Sequence, residues 1–457
     1  MRPWLALIIL ATAINASAEW NEKVLYSFQG GTDGAFPAGG VVFDKQGNLY
    51  GATQQGGGTN CSPMAACGTV YQLVPPAKQG APWTENVLHI FQGKQHNDGE
   101  FPSGGVIADA LGNIYGTASY GGTGDCILLG IKGGCGTVFE LSPPPTKSGQ
   151  WTYTILYSFK SGKDGYLPLG NLVFDGAGNL YGATYFGGGK GTTCNPDYQY
   201  CGTVFELTPP RTKGGKWTEK VLYSFKGAPA GAQFGDGANP NGGLVLDKKG
   251  AIYGTTYFGG NNVKGECEGG SGGTGCGIVF ALQPPTTKGG TWKEKVLHRF
   301  NGQDGSNSAA GVVFDGKGNL YGTTYFGPPN GNGLVFEVRK PSAKVHSWKE
   351  TILHLFSDGS DGGYPRAGLI FDAGGDLFGS SSSGQDGGAV FRMKPPGLAG
   401  GTWNFVALHT FGAIPDGIVP GAALVLDKTG NLYSTTEFGG TGQSCGSGCG
   451  TVFELSQ

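Results

Sequence analysis

The sequence predicts an all-β protein, a seven-bladed β-propeller of four-stranded antiparallel blades, from three observations. First, a phrase that begins with tryptophan and continues into an apolar strand-like run recurs at intervals of roughly 55 to 75 residues. Second, each unit contains four short strand-like runs and no segment with helical periodicity. Third, the 90 glycines fall at recurring positions between apolar runs, as turn residues do. The tryptophans are Trp20, Trp83, Trp151, Trp217, Trp292, Trp348 and Trp403.

Other repeat architectures fit these units less well. A β-solenoid is built from much shorter coils, and a β-sandwich needs about 100 residues. In the third unit we predict strand a at residues 170–175, b at 180–186, c at 202–207 and d at 217–225. The a-to-b connection is rich in residues that tolerate positive φ, as a tight turn requires.

The two ends of the chain differ in phase. The sequence begins with a strand of type d, residues 20–28, and its last three strands are a, b and c, at residues 421–427, 431–438 and 450–455. We therefore predict that the N-terminal strand completes the seventh blade and closes the ring, which removes an open sheet edge.

The first eighteen residues have the features of a signal peptide. Arg2 supplies the positive charge, residues 5–14 form a short apolar core, and Ala16-Ser17-Ala18 is a small-residue cleavage site. We expect cleavage after Ala18, leaving residues 19–457 as a single propeller domain that is secreted to the periplasm or the extracellular space. No later apolar run is long enough to cross a bilayer, so we expect no membrane insertion.

Charge composition argues against two classes of partner. The net charge is −2, charged residues make up 14% of the chain, and lysine and arginine form no block. Because nucleic-acid binding depends on neutralising phosphates, this composition argues against nucleic acid as a partner, and it equally disfavours an anionic membrane surface.

Two phrases resemble a known family. Gly-Asn-Leu-Tyr-Gly-Ala-Thr-Tyr-Phe-Gly-Gly at residues 178–188 and Cys-Gly-Thr-Val-Phe-Glu-Leu at 201–207 resemble the GloVer tandem repeat of bacterial choice-of-anchor secreted proteins. The resemblance covers essentially the whole chain after the signal peptide. It implies export and a propeller-like array but no particular activity. The C-terminal sorting segment of the anchored members is absent from this sequence.

The ten cysteines form five pairs, each within one b-to-c loop. Units five and six lack both members of the pair, never one, which is the pattern that local disulfides produce in an exported chain. A zinc site would need four ligands from loops on separate blades. The predicted disulfides are Cys61–Cys67, Cys126–Cys135, Cys194–Cys201, Cys267–Cys276 and Cys445–Cys449.

An Asp-Gly pair precedes strand a in every unit. A ring of seven carboxylates at the channel rim would suit Ca²⁺ or sugar hydroxyls. The alternative, which we favour because all seven units share the pair, is that each aspartate caps its own turn. These residues are Asp33, Asp98, Asp164, Asp236, Asp304, Asp361 and Asp416. A second recurrent aspartate ends strand a, and we assign it to the turn on the opposite face: Asp44, Asp109, Asp175, Asp247, Asp315, Asp372 and Asp427.

Histidine forms no catalytic pattern in the sequence. Four histidines occupy the strand d position that tyrosine holds in the other three phrases: His89, His298, His354 and His409. Because they are distributed over four blades, we expect neither a Ser-His-Asp triad nor a three-histidine metal site.

The candidate binding site comes from departures from the repeat. Units five and six have the shortest b-to-c loops, residues 327–333 and 384–388, which predicts a notch in the loop face. Arg366 stands at this notch where other units carry Ala, Ser, Leu, Asn or Gly, and its alternative role is a surface ion pair. Tyrosines that end strand b offer a stacking surface for a sugar, or simply pack between blades. The predicted ligand-binding residues are Tyr325, Arg366, Asp304, Asp361, Tyr257 and Tyr185.

These features favour an exported module that binds an extracellular glycan, another polymer or a protein ligand, without catalytic residues or a resident cofactor. Two alternatives stay open. One is a polysaccharide lyase or hydrolase that uses carboxylates at the channel mouth, since a glycosidase needs two. The other is a structural or adhesive surface protein. Propellers support many functions, so the fold does not choose among the three.

Overall fold

The structure, a computed structural model, describes residues 20–457 except for 59–66, 79, 129–130, 147–148, 190–200, 213, 228–234, 262–266, 268–274, 329–330, 385–386, 399 and 413. Seven four-stranded antiparallel sheets follow one another along the chain, and the predicted seven-bladed propeller is confirmed. The predicted signal peptide and its cleavage site lie outside the described residues.

Each blade uses four strands in the order a, b, c, d, with a lining the central cavity. The a strands are Val42–Phe43, Ile107–Ala108, Val173–Phe174, Val245–Leu246, Val313–Phe314, Ile370–Phe371 and Val425–Leu426. The b strands are Leu49–Thr53, Ile114–Ala118, Leu180–Thr184, Ile252–Thr256, Leu320–Thr324, Leu377–Ser381 and Leu432–Thr436. The c strands are Thr69–Val74, Thr137–Ser142, Thr203–Thr208, Ile278–Gln283, Leu334–Arg339, Ala389–Lys394 and Thr451–Ser456. The d strands are Thr84–Ile90, Thr152–Ser158, Thr218–Ser224, Lys293–Arg299, Lys349–Leu355, Asn404–Thr410 and, for blade seven, Asn21–Ser27.

Short elements decorate the loops of blades two and seven. They are the 3₁₀ helix Lys94–His96, the paired segments Gly99–Glu100 with Tyr120–Gly121 and Gly417–Ile418 with Phe438–Gly439, and the hairpin Ile127–Leu128 with Ile131–Lys132.

Strand a is shorter than predicted, because the glycines before it pack against neighbouring blades. In the third blade the paired residues are Val173–Phe174 rather than 170–175. A Cβ added to Gly170 would lie 2.7 Å from the carbonyl oxygen of Gly242 in the next blade. These backbones meet where the blades converge on the axis, and glycine permits their close approach.

The N-terminal strand closes the ring as predicted. Asn21–Ser27 pairs antiparallel with Thr451–Ser456, with Val24 opposite Phe453. The amide of Phe28 then donates to the carbonyl oxygen of Gly450 at 3.0 Å. The edge of strand c in blade seven is therefore covered by residues from the other end of the chain.

The hydrophobic core lies between blades. A phenylalanine directly after each strand d is buried and meets, edge to face, an aromatic ring on strand c of the next blade, with centroids 5.0 to 5.5 Å apart. Such edge-to-face pairs add to the free energy of apolar burial. The seven pairs are Phe28–Tyr71, Phe91–Phe139, Phe159–Phe205, Phe225–Phe280, Phe300–Phe336, Phe356–Phe391 and Phe411–Phe453.

Candidate functional site

A central cavity of about 790 Å³ receives residues from all seven blades. Two positions of the repeat supply most of its side chains. The position before strand a contributes Ala38, Ser103, Leu169, Asn241, Ala309, Arg366 and Gly421. The position after strand b contributes Gln54, Tyr185, Tyr257, Tyr325 and Glu437.

Hydrogen bonds of the backbone fix the tyrosines at the cavity. The amide of Tyr185 donates to the carbonyl oxygen of Leu167 at 2.9 Å, and the amide of Leu167 donates to that of Cys135 in the preceding blade. Leu167 has φ 61°, a left-handed conformation that is uncommon for leucine. The side-chain amide of Asn239 donates to the carbonyl oxygen of Tyr185 at 2.9 Å. Tyr185 is therefore held on both sides, by its own blade and by the next.

Arg366 connects three blades across the cavity mouth. From the start of blade six, its Nη2 donates to the hydroxyl of Tyr325 in blade five at 3.4 Å, and its Cζ lies 5.5 Å from the centre of that ring. Its Nη1 lies 3.6 Å from Oε2 of Glu437 in blade seven. Tyr185, Tyr257 and Tyr325, on consecutive blades, thus form an arc that ends at an arginine–glutamate pair.

Burial sets the charge state of these groups. It raises the pKa of Glu437, which Arg366 lowers in part. Burial also raises the pKa of Tyr257, with a further increase from Tyr325. Burial likewise raises the pKa of Tyr185. At neutral pH the two hydroxyls are protonated, and the arc offers hydrogen-bond donors beside one cation and one acidic side chain.

An aromatic cluster flanks Arg366 at the two blades with short b-to-c loops. The ring of Tyr325 lies 4.7 Å from Phe326 and 5.2 Å from Tyr364, measured between centroids. Phe326 is 38% exposed, although it is a large apolar side chain. The longer loops of blades one, three and four, which would wall the predicted notch in the loop face, lie partly outside the described residues.

Four of the six predicted ligand-binding residues come together. Arg366 and Tyr325 are in contact, and Tyr257 and Tyr185 continue the same wall of the cavity.

Asp304 and Asp361 are placed elsewhere and are absent from the described lining of the cavity, which corrects their predicted position at the channel mouth. Asp304 accepts a hydrogen bond from the amide of Asn301 at 2.8 Å, and Asp361 from that of Ser357 at 3.0 Å. Each caps its own turn and lies beside the outermost strand, so the carboxylate near Arg366 is Glu437.

Sequence reasoning missed Glu437 and Tyr364. Glu437 follows strand b in blade seven, at the position that Tyr185 holds in blade three, so alignment of the seven units could have found it. Tyr364 occupies the left-handed position of Leu167, with φ 50°. A repeat emphasises the residues that its units share, whereas a specific site consists of departures from them.

A second cavity, of about 990 Å³, lies on the opposite face near blades seven, one and two. Its carboxylates are occupied with their own turns, as predicted. Asp44 Oδ1 accepts the amides of Gln46 and Asn48 at 2.8 and 2.9 Å, and Asp109 and Asp427 repeat this pattern. The central cavity is therefore the stronger candidate site.

The disulfide prediction is confirmed where the structure describes both cysteines. The bonds are Cys126–Cys135, Cys267–Cys276 and Cys445–Cys449. Cys67 and Cys201 are also disulfide-bonded, and their predicted partners, Cys61 and Cys194, lie outside the described residues. In the described part of the chain no helix is long and apolar enough to cross a lipid bilayer.

The chain is a disulfide-containing β-propeller whose central cavity is lined by polar and aromatic side chains. Residues 12–194 and 267–457 match the Gloeobacter/Verrucomicrobia repeat, and the chain belongs to this family. The resemblance seen in the sequence is thereby confirmed. No curated protein matches the chain.

Several solved structures are similar at low identity. A putative 6-phosphogluconolactonase from Bacteroides uniformis is 14% identical, with 80% of this chain and 84% of that chain covered and a TM-score of 0.47. Another from Bacteroides fragilis is 14% identical, with 85% and 94% covered and a TM-score of 0.47. A protein of unknown function from Dyadobacter fermentans is 13% identical, with 85% and 98% covered and a TM-score of 0.43.

Proposed function

We propose that this protein is an exported binding module that recognises an extracellular glycan at the central cavity. The observation that carries the proposal is the arc of Tyr185, Tyr257 and Tyr325 on consecutive blades, ending at the Arg366–Glu437 pair. Tyrosine presents an apolar face for the C–H side of a sugar ring and a hydroxyl for its polar edge. The planar guanidinium of Arg366 can donate to two adjacent hydroxyls of one sugar.

Two further features support this function. The cavity volume of about 790 Å³ falls within the range of about 300–1,000 Å³ of small-molecule sites. Disulfides are typical of oxidising compartments, in keeping with export. Export itself is tested by N-terminal sequencing of the protein released by the native host, which we expect to begin at Glu19.

The binding role is preferred over hydrolysis for a chemical reason. A glycosidase requires two carboxylates at suitable separation. Among the described residues that line the cavity, Glu437 is the one carboxylate, and it is paired with Arg366.

A glycan array followed by calorimetry on the best ligand tests the proposal. We expect Tyr257→Ala to weaken binding about tenfold, or about 1.4 kcal/mol, because it removes the stacking ring. Tyr257→Phe keeps the ring and should cost less. Tyr223→Phe, on the outer strand of blade three, is the matched control and should bind as the parent does.

Three results would contradict the proposal. Full affinity in Tyr257→Ala and Arg366→Ala would place the site elsewhere. Binding to no glycan or other polymer would favour the structural or adhesive role. Depolymerisation of a polysaccharide that stops in Glu437→Gln would replace binding by lyase or hydrolase chemistry.

A further inference from the structure

Every blade carries the same contact between its outermost strand and the loop that follows. Strand d contains a β-bulge in each blade, and the residue after the bulge is a tyrosine or histidine that reaches the aspartate of the next turn. The seven pairs are Tyr26–Asp33, His89–Asp98, Tyr157–Asp164, Tyr223–Asp236, His298–Asp304, His354–Asp361 and His409–Asp416.

A third side chain comes from strand d of the next blade, and we call the three together a seam. In two seams it is an aromatic ring that stacks on histidine, Tyr153 on His89 at 3.7 Å and Phe405 on His354 at 3.8 Å between centroids. In the other five it is a glutamate. Glu85, Glu219 and Glu294 face a tyrosine–aspartate pair, and Glu350 and Glu22 face a histidine–aspartate pair.

Histidine and glutamate therefore meet in two described seams. In one, the ligand atoms of His298, Asp304 and Glu350 all lie within 4.8 Å of one another, and His298 Nε2 is 3.2 Å from Asp304 Oδ2. Two ligand atoms of a tetrahedral zinc site are about 3.3 Å apart, given bond lengths of about 2.0–2.1 Å. In the other, Glu22, His409 and Asp416 form the same kind of group, with His409 Nε2 3.2 Å from Asp416 Oδ2.

The glutamate of each of these two seams has one buried oxygen without a hydrogen-bond partner among the described residues. Glu350 Oε1 is inaccessible to solvent and makes no hydrogen bond within the described part of the chain, whereas His298 Nε2 has Asp304 Oδ2 as an ion-pair partner at 3.2 Å. Glu22 Oε1 is in the same condition in the second seam, and so are the corresponding oxygens of Glu85, Glu219 and Glu294 in the three seams with tyrosine, so it is the histidine that distinguishes the two proposed sites. A buried polar atom left unsatisfied costs about 1–3 kcal/mol, and a bound cation would remove that cost.

We propose that these two seams each bind a divalent transition-metal ion such as Zn²⁺, held by His298, Asp304 and Glu350 in one and by His409, Asp416 and Glu22 in the other. One imidazole nitrogen with two carboxylate oxygens suits Zn²⁺, whereas Ca²⁺ takes oxygen ligands alone. Three protein ligands leave one position for water. Since the histidine and glutamate belong to neighbouring blades, the ion links blade four to five, and blade six to the N-terminal strand.

The stoichiometry of zinc tests the proposal. The mature chain, without a histidine tag and stripped with chelator, is dialysed against micromolar Zn²⁺, and bound metal is counted by mass spectrometry. We expect two ions per chain, one in either His298→Tyr or His409→Tyr, and none in the double variant. Tyrosine already occupies this position in three seams, so the variants should fold, and thermal denaturation followed by circular dichroism checks this.

Two matched variants complete the test. His89→Tyr changes a histidine whose seam has Tyr153 instead of glutamate, and it should keep both ions. Tyr157→His creates a histidine beside Asp164 and Glu219, and it should raise the count to three. Fewer than two ions in the parent chain, two ions in the double variant, or no third ion in Tyr157→His would overturn the proposed ligand set. Zn²⁺ should also raise the melting temperature of the parent but not of the double variant.

Discussion

Deletion of residues 20–28 removes the strand that closes the ring, and the structure sets the expected cost. Phe28 is fully buried and Leu25 is 6% exposed. Loss of a buried phenylalanine costs about 3–5 kcal/mol and of a leucine about 2–5 kcal/mol. The total of about 5–10 kcal/mol is comparable with the whole stability of a domain, about 5–15 kcal/mol. We expect blade seven to lose its fold, with a melting temperature lower by about 5 °C or more.

A circular permutant separates loss of the strand from loss of the chain end. In the permutant, residues 20–28 follow Gln457 through a linker with the sequence of residues 210–216, so that nine residues join strand c to strand d, as residues 209–217 do in blade three. It should recover the melting temperature of the parent, and size-exclusion chromatography should show oligomers for the deletion variant alone, because its uncovered strand c offers an edge for pairing. A deletion variant that melts within about 2 °C of the parent would refute the reasoning.

Two further predictions concern the seams and the loops. Burial and, to a smaller extent, the charge of Asp164 raise the pKa of Glu219 from 4.5 to about 7, so the folded state loses stability as pH rises from 4.5 through 7. Glu219→Gln should therefore raise the melting temperature more at pH 8 than at pH 5. An equal gain at the two pH values would contradict this sign. Cys445 and Cys449 are four residues apart, and their removal as Cys445→Ser/Cys449→Ser should cost about 2 kcal/mol. Gly30 packs directly on this disulfide, since a Cβ there would collide with both sulfur atoms. In the double variant, hydrogen exchange should therefore increase at residues 29–34 while the other blades keep their protection. Unchanged exchange at residues 29–34 would show that the disulfide does not support this turn.

Most of the fold could be predicted because the same pattern of four strands occurs in seven units of the sequence. The tryptophan directly before each strand d marks the repeating unit. The chain starts with a strand of type d, residues 20–28, and ends with a strand of type c, residues 450–455, which is enough to predict ring closure. The short length of strand a was not predictable from one unit, since it results from contacts such as Gly170 with Gly242 in a neighbouring blade. The sequence pattern within one unit thus predicts the four strands of a blade, whereas contacts between blades determine how many residues of strand a are paired.

The candidate site was predicted only in part, because its residues come from several blades and the sequence does not show how loops of different blades are placed around the axis. Tyr325 and Arg366 are conspicuous departures from the repeat, and they do meet. Asp304 was assigned to the wrong place, because the sequence places it in a d-to-a loop but does not say how far that loop lies from the axis. The histidine–glutamate contact of His298 and Glu350 joins two blades, so inspection within single units does not bring the two residues together.

The seams divide each potential metal site between two consecutive units, and this affects how such a protein can change during evolution. One unit contributes the glutamate of one seam and the histidine–aspartate pair of the next, as blade five does with Glu350 and with His354–Asp361. Tandem duplication of that unit would place its glutamate beside its own copied pair and produce a complete ligand set without any point mutation. Conversely, loss of one unit can remove a site while the remaining blades stay intact. Repeat number and metal content would then be inherited together.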